Sequence, residues 1–323
     1  MRAIINEKDA LVWGEAPDPV AGSGEILIRN RATAINRADL VQRRGGYPAP
    51  VGASPILGLE CAGEVIAVGE GVNAYKPGDL VCALLAGGGY AELVNVPAGQ
   101  AVPLPKGLDF NQAASLPEVF ATAFLNLFIE GQLQLGERVL LHAGASGVGT
   151  AAIQLCKAFG SPCFVTAGND DKVARCIELG ADDGANRNNG SFRDAVSTWT
   201  GGTGCDVILD PVGASYLADN FAVLATDGRL VIIGLMGGAT TELNMGLLLM
   251  KRLRIVGSTL RARSIARKAD VMDHLRRRVW PLFANGEIKP VIEAIMPIAQ
   301  AEQAHALVAS DQTFGKVVLT IPG

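Results

Sequence analysis

The sequence lacks the cysteine spacing of a zinc lobe or of a disulfide scaffold. Its six cysteines are scattered, and no two lie within four residues of each other: Cys61, Cys82, Cys156, Cys163, Cys176 and Cys205. Structural zinc sites need closely spaced cysteine pairs, and disulfide frameworks are typical of short secreted chains. The cysteine pattern therefore argues against both.

Long apolar runs and an excess of positive charge are also missing. The run Leu230 to Ala239 stands out most, and it is about half the length that crosses a membrane. The formal net charge of −4 does not favour nucleic acid or an anionic membrane as a partner. Charges within residues 1–9 stand where a signal peptide needs its apolar region. We expect a cytoplasmic protein without nucleic-acid or membrane partners.

What is present suggests two domains, since 323 residues suffice for two and the pattern changes near residue 120. Before it, short β-like runs alternate with Gly-Pro turns, which predicts a small β-barrel-like domain. After Leu116-Pro117, apolar strands with helical patterns between several of them predict an α/β fold with a doubly wound parallel sheet. The predicted strands of that sheet are Val139–His142, Cys163–Thr166, Val207–Asp210, Leu230–Gly234 and Leu253–Val256.

The C-terminal part of the chain has a different pattern. Beyond Ser264 an amphipathic helix is predicted, and two strand-like pieces follow around Ile292–Ile298 and Val317–Ile321. We expect these two strands to have no helical partners and to return to the first domain.

The most informative stretch runs from Arg138 to Cys156. An apolar strand breaks into a glycine-containing turn that opens into a helical pattern, so that backbone N–H groups and the positive helix end form an anion site. The strict G-x-G-x-x-G fingerprint has serine at its middle position here, which adds a hydroxyl that could bond a phosphate. A tight turn without a ligand is the alternative. The candidate cofactor-binding residues are Gly144, Ala145, Ser146, Gly147, Val148, Gly149 and Thr150.

The end of the second predicted strand indicates NADPH rather than NADH. NAD enzymes place Asp or Glu about 20 residues after the glycines, and here residues 166–169 contain no carboxylate. Lys172 and Arg187 would suit a 2′-phosphate through charge-assisted hydrogen bonds. Residues 170–171, both aspartate, argue against a phosphate unless they merely start the next helix; a solvated helix face is the alternative for Lys172. The candidate residues of this group are Gly168, Asn169, Lys172 and Arg187.

Motifs in a fixed order along the whole chain resemble one family. They are Asn36-Arg-Ala-Asp-Leu, Gly45-Gly-Tyr-Pro, Gly58-Leu-Glu-Cys-Ala-Gly, the glycine turn from His142, Gly234-Leu-Met-Gly-Gly and Phe314-Gly-Lys-Val-Val-Leu. The chain is similar to the zinc-free quinone oxidoreductases of the medium-chain dehydrogenase/reductase superfamily, close to the p53-inducible, zeta-crystallin-like branch. The resemblance implies a GroES-like catalytic domain, residues 1–120 and 262–323, around a Rossmann domain, 121–261. It also implies a cofactor in the cleft between them and a homodimer, to which Leu253–Thr259 is suited as a pairing strand.

The resemblance also bears on metal. Zinc-dependent members bind zinc with Cys, His and Cys, and the matching positions here are Asn36, Leu59 and approximately Glu118, which cannot form such a site. His274 and His305 fall in unrelated segments, and His142, at the end of a buried strand, is interpreted as structural. We predict that no metal is bound.

Without metal, the nicotinamide supplies the chemistry and the protein positions the reactants. Tyr47 is the candidate hydrogen-bond donor to a quinone oxygen; its alternative is an amphipathic loop residue. Asn36 and Asp39 suit a helix cap with Asn36 at the N-cap, and by resemblance they also line the nicotinamide site. Further cofactor contacts are implied for Gly234, Leu235, Met236, Gly237, Ser258, Leu260 and Lys316.

The predicted function is NADPH-dependent reduction of a small-molecule quinone. A quinone is already a strong hydride acceptor, so no powerful general acid is required. Reduction of the double bond of an enone or alkenal uses the same hydride geometry and is the first alternative. A non-catalytic, crystallin-like binding protein is the second, and the intact glycine turn argues against it.

Overall fold

The computed structural model describes residues 1–7 and 10–322; Lys8 and Asp9, two of the N-terminal charges considered above, and Gly323 lie outside it. The chain forms two units. Unit 1 comprises Met1–Ala121 and Leu260–Gly323, and unit 2 comprises Thr122–Thr259. The prediction had set the limits at 120/121 and 261/262.

The strands in the described residues are β1 (Arg2–Glu7), β2 (Ala10–Glu15), β3 (Glu25–Ala34), β4 (Glu60–Val68), β5 (Leu80–Leu84), β6 (Leu93–Pro97), β7 (Ala101–Pro103), β8 (Val139–Leu141), β9 (Cys163–Ala167), β10 (Asp183–Asn186), β11 (Cys205–Asp210), β12 (Leu224–Ile232), β13 (Arg254–Gly257), β14 (Ile292–Pro297) and β15 (Lys316–Thr320).

The α-helices are α1 (Arg37–Arg43), α2 (Phe110–Ala114), α3 (Pro117–Phe124), α4 (Gly147–Ala158), α5 (Asp170–Leu179), α6 (Arg193–Trp199), α7 (Leu217–Val223), α8 (Met245–Met250), α9 (Ile265–Arg278), α10 (Trp280–Ala284) and α11 (Ala301–Ala309). A π-helical turn, Leu125–Glu130, follows α3.

Unit 2 is built on one six-stranded sheet in which every recorded pairing is parallel. The spatial order is β10-β9-β8-β11-β12-β13, that is, 3-2-1-4-5-6 in chain order, which is the order of dinucleotide-binding folds. Apolar side chains on neighbouring strands, such as Leu140, Phe164 and Ile208, are fully buried because helices cover the sheet. The α/β prediction is confirmed.

Unit 1 contains a seven-stranded sheet and a separate β1–β2 hairpin. The long strand β3 pairs with β4 along one side, and β6 and β15 share its other side. Its first residues alternate between partly exposed and buried side chains, since one face of the sheet covers a core that includes Ile26, Ile28 and Val65.

The two C-terminal strands join unit 1, because β15 pairs with β3 and β14 pairs with β15. The expectation that they lack a helical partner is wrong. Strands β14 and β15 are parallel, so the chain needs a crossover between them, and α11 provides it. Small residues at the buried positions Ala301 and Ala304 gave the helix a weak apolar signal in the sequence.

Two exclusions can be compared with the structure. All six cysteines are buried and free, which confirms the argument against a disulfide scaffold. Over residues 1–7 and 10–322, none of the helices combines the length and the apolar composition needed to cross a bilayer.

Candidate functional site

The glycine turn, residues 144–149, connects β8 to α4 at the carboxyl end of the sheet. Ser146 is the N-cap of α4, and its Oγ accepts a hydrogen bond from the backbone N–H of Gly149 at 3.0 Å. Ser146 Oγ therefore acts as an acceptor in the helix cap, and the hydroxyl can still donate its proton to a phosphate. The backbone N–H groups of Gly147 and Val148 lie in the first turn of α4. They have no acceptor within the helix, because the carbonyl four residues earlier in the chain lies outside it.

Two glycines of this turn are required by close packing. A Cβ at Gly149 would lie 2.4 Å from the carbonyl oxygen of Ala143, and one at Gly144 would lie 2.8 Å from Cβ of Val165. Real side chains do not tolerate such distances, so the turn reaches this conformation only with glycine at both positions. The backbone is thereby held against β9, with the helix end open to an anion.

The end of β9 presents a polar loop. Asn169 caps α5 by accepting from the backbone N–H of Lys172 at 2.8 Å, and Asp170 accepts from the side chain of Asn186 at 2.9 Å. The interpretation of residues 170–171 as the start of a helix is confirmed. The alternative of a solvated Lys172 is wrong, since that side chain is only 8% exposed.

Arg187 is brought next to Gly168. A Cβ on Gly168 would lie 3.8 Å from Nη2 of Arg187, whose side chain is exposed. A cation thus stands at the end of the second strand, where an NAD enzyme would carry a carboxylate.

The remaining predicted contacts of unit 2 also follow its strands. The loop 234–237 comes after β12 and packs over the end of β11, with Gly237 N–H donating to Val212 at 2.7 Å. In this loop Leu235 and Met236 are more than half exposed. Ser258 follows β13, and its N–H donates to Ile232 at 3.0 Å. Because the strands are parallel, these segments share the edge of the sheet that carries the glycine turn.

These residues fit a dinucleotide. The turn offers unpaired first-turn amides, glycines leave room for close backbone approach, and a guanidinium lies beside Gly168. When bound, a nicotinamide dinucleotide would supply hydride chemistry.

In unit 1 a buried polar group, the Glu60 cluster, comprises Asn36, Glu60, Glu118 and Lys316. Glu60 is 0% exposed, and its Oε1 lies 2.8 Å from Lys316 Nζ and 2.9 Å from Asn36 Nδ2. Its Oε2 accepts from the backbone N–H of Glu118 at 2.9 Å. Lys316 Nζ also donates to the carbonyl of Ile35 at 2.8 Å and to Asn36 Oδ1 at 2.6 Å, which satisfies all three ammonium donors.

Asp39 lies beside this cluster. Its Oδ2 accepts from the N–H of Asn36 at 2.8 Å and its Oδ1 from the N–H of Gly58 at 3.0 Å. Tyr90 Oη lies 3.3 Å from Oδ2 and 3.1 Å from Nε2 of His305. Burial raises the pKa of Asp39 to about 6, although its backbone hydrogen bonds and Lys316 oppose the rise. The predicted N-cap position of Asn36 is confirmed, while its side chain bonds Glu60 and Lys316.

The donor set does not fit zinc. Leu59 is apolar and 1% exposed, Asn36 Oδ1 and Glu60 Oε1 are held by the Lys316 ammonium, and Glu60 Oε2 accepts from the backbone N–H of Glu118. Over the described ranges, no three His, Cys, Asp or Glu side chains are grouped so as to hold a metal ion. The positive charge at the centre of this cluster is that of the Lys316 side chain.

Tyr47 lies against a residue that sequence analysis missed. Arg261 is 3% exposed; its Nε donates to the carbonyl of Ala86 at 2.7 Å and its Nη1 to that of Tyr47 at 3.0 Å. The guanidinium carbon lies 5.3 Å from the centroid of the Tyr47 ring. Arg261 stands outside every recognised motif, whereas Glu60, also missed, stands within Gly58-Leu-Glu.

His142 is structural, as interpreted from its place at the end of a strand. Its Nδ1 lies 3.0 Å from Thr166 Oγ1 and its Nε2 lies 2.7 Å from Asn220 Oδ1. Burial lowers its pKa to about 4, so the ring stays neutral at neutral pH.

Comparison with known proteins agrees with this architecture. The alcohol dehydrogenase GroES-like domain family matches residues 22–106, and the zinc-binding dehydrogenase family matches residues 147–276. Rat quinone oxidoreductase is 30% identical over 305 residues, which cover 94% of this chain and 91% of that protein.

Solved structures give the same result. The Escherichia coli quinone oxidoreductase complexed with NADPH has a TM-score of 0.86 at 29% identity, covering 99% of this chain and 98% of that one. The apo JamJ enoyl reductase has a TM-score of 0.85 at 25% identity, covering 97% of this chain and 95% of that one. The fold and these relatives define an oxidoreductase built from two units. The chain belongs to the medium-chain dehydrogenase/reductase superfamily of oxidoreductases. Quinone oxidoreductases are among the members of this superfamily that it resembles.

Proposed function

We propose that this protein is an NADPH-dependent quinone reductase that works without metal. The observation that carries the proposal is the Lys316 ammonium at the centre of the Glu60 cluster, where the donor set does not fit zinc. A site without a metal ion has no Lewis acid to polarise a carbonyl. It suits an acceptor that is already electrophilic, and a quinone is one.

The proposed cofactor is NADPH, held by unit 2. Arg187 beside Gly168 offers a cation for a 2′-phosphate, and the amides of the glycine turn offer donors for the pyrophosphate. In unit 1, the phenol of Tyr47 is proposed to donate a hydrogen bond to the acceptor oxygen. Asn36 and Asp39 are held by neighbouring hydrogen bonds and would orient the reactants.

Reduction of an activated carbon–carbon double bond is the second candidate, favoured by the likeness to an enoyl reductase. A quinone and an activated double bond would both take hydride from the same nicotinamide, so the shape of the acceptor pocket would decide which one is reduced.

The test is turnover of 1,4-benzoquinone and an α,β-unsaturated ketone, each with NADPH and with NADH. We expect the quinone to have the higher kcat/KM and NADPH to have the lower KM of the two cofactors. Faster enone turnover would favour the second candidate. Absence of NADPH oxidation with every acceptor, with cofactor binding retained, would support a non-catalytic protein.

A further inference from the structure

Glu118, on the first turn of α3, has no role in the function proposed so far. Its backbone N–H bonds Glu60, but across the described part of the chain no hydrogen bond or ion pair is recorded for its carboxyl oxygens. The residue is half-buried, so the carboxyl keeps some access from outside. A carboxyl in such a place is available to a ligand.

Burial and the neighbouring charges together favour the protonated form of the Glu118 carboxyl. Glu60 Oε1 lies against Lys316 Nζ and Asn36 Nδ2, and a second acidic group beside Glu60 is disfavoured in its ionised form. Two acidic neighbours, Glu60 and Asp39, favour the neutral form of Glu118. Three basic neighbours favour its ionised form: Lys316, Arg261 and Lys268. Burial is the largest influence, followed by Glu60, and together they raise the pKa of Glu118 to about 8. A carboxyl with such a pKa is mostly in its neutral, protonated form at pH 7.

Two further groups beside Glu118 are also without partners. Nη2 of Arg261 is buried and has no hydrogen-bond acceptor among the described residues, although the guanidinium is fixed by its other nitrogens. For the Tyr47 hydroxyl no hydrogen bond is recorded either. Burial raises its pKa, and so does the charge that Glu118 carries at the alkaline pH at which tyrosine titrates. A buried cationic donor without an acceptor is costly unless a ligand oxygen or water completes it. Arg261 lies against the Tyr47 ring, and both groups interact electrostatically with Glu118, so the three form a candidate site for an acceptor oxygen.

On the basis of the proposed function, we propose that Glu118 is the catalytic proton donor, which protonates the oxyanion left on the acceptor by hydride addition. A bound nicotinamide would supply the hydride, and the electron pair of the acceptor's double bond would move to oxygen. Arg261 Nη2 and the Tyr47 hydroxyl donate hydrogen bonds to that oxygen. The O–H bond of Glu118 breaks as the new O–H bond forms, and water then returns a proton to the carboxylate.

The test compares Glu118→Gln, which keeps the shape but cannot act as an acid, with Glu70→Gln, an exposed carboxylate in the same unit. We expect Glu118→Gln to lower kcat about a hundredfold and to leave NADPH affinity and melting temperature close to the wild type. Glu70→Gln should change none of them. Glu118→Asp retains the acid and should recover part of the lost kcat.

The pH profile separates a proton donor from a residue that only supports the structure. The acid form exists below its pKa, so wild-type kcat should fall as pH rises through about 8. This alkaline fall should persist in Glu118→Asp and disappear in Glu118→Gln. Equal kcat and equal pH profiles in wild type and Glu118→Gln would overturn the inference.

A measurement without substrate tests the same group. Infrared spectroscopy of the wild-type protein at pH 7 should show a protonated carboxyl band that Glu118→Gln removes and Glu70→Gln retains. An unchanged band in Glu118→Gln would show that Glu118 is ionised and would overturn the inference. If the wild type fails to oxidise NADPH with any of the acceptors tested, the proposed function fails, and the inference that rests on it fails as well.

Discussion

At the scale of single residues, Lys316 supplies the positive charge inside the Glu60 cluster. A buried charge is tolerated when it is paired and fully hydrogen-bonded, and Lys316 meets both conditions through Glu60, Asn36 and Ile35. Such an ammonium carries fixed charge but has no open coordination position. The cluster can therefore orient groups and polarise them, while the acceptor must bring its own reactivity.

Arg187 provides a prediction at this scale. Arg187→Ala removes a guanidinium from beside Gly168, and a charge-assisted hydrogen bond to phosphate contributes about 1.5–3 kcal/mol. We expect the Kd for NADPH to rise about tenfold or more, with the Kd for NADH nearly unchanged, when both are measured by titration.

The matched control is Arg193→Ala, which removes a half-exposed arginine of the same unit that lies 4.0 Å from Asp219. It should leave both affinities as they are. An equal loss of affinity for both cofactors in Arg187→Ala would contradict a 2′-phosphate contact.

At the scale of elements, the proposed nucleotide site depends on the conformation of the glycine turn. A Cβ in Gly149→Ala would lie 2.4 Å from a backbone carbonyl, so the turn must shift, at a cost of about 1–3 kcal/mol. We expect a lower melting temperature and at least a tenfold weaker NADPH affinity, measured by thermal unfolding and by titration.

Gly257→Ala is the control, since a Cβ there would meet nothing within 4 Å. Both readouts should stay at the wild-type value. If Gly149→Ala bound NADPH as tightly as Gly257→Ala, the nucleotide would not depend on this turn.

Elements with strong local signals were predicted well. The five apolar strands of unit 2 were recognised because buried parallel strands have continuous apolar runs. Strand β10 was not among them, because it is a partly exposed edge strand without such a run. Helix α11 was missed, because alanines at its buried positions gave little contrast in hydropathy.

At the scale of the whole molecule, the two parts of the site differ in how far the sequence can predict them. The glycine turn is contiguous, so its strand, glycines and helix can be recognised in one stretch. The Glu60 cluster combines side chains from positions 36, 60, 118 and 316, and only the fold brings them together. Asn36 and Lys316 were proposed from resemblance, but their shared partner Glu60 was not. Arg261 follows the last strand of unit 2 and has no motif, so its contact with Tyr47 required the structure.

The central claim is that hydride transfer proceeds in a protein whose internal cation is Lys316 and not a metal. The direct measurement is the rate of NADPH oxidation with 1,4-benzoquinone, taken on protein whose zinc content is determined by elemental analysis before and after treatment with a strong chelator. We predict turnover that is independent of zinc content and unchanged by the chelator. Stoichiometric zinc, with turnover that is lost on its removal and restored by its return, would contradict the account.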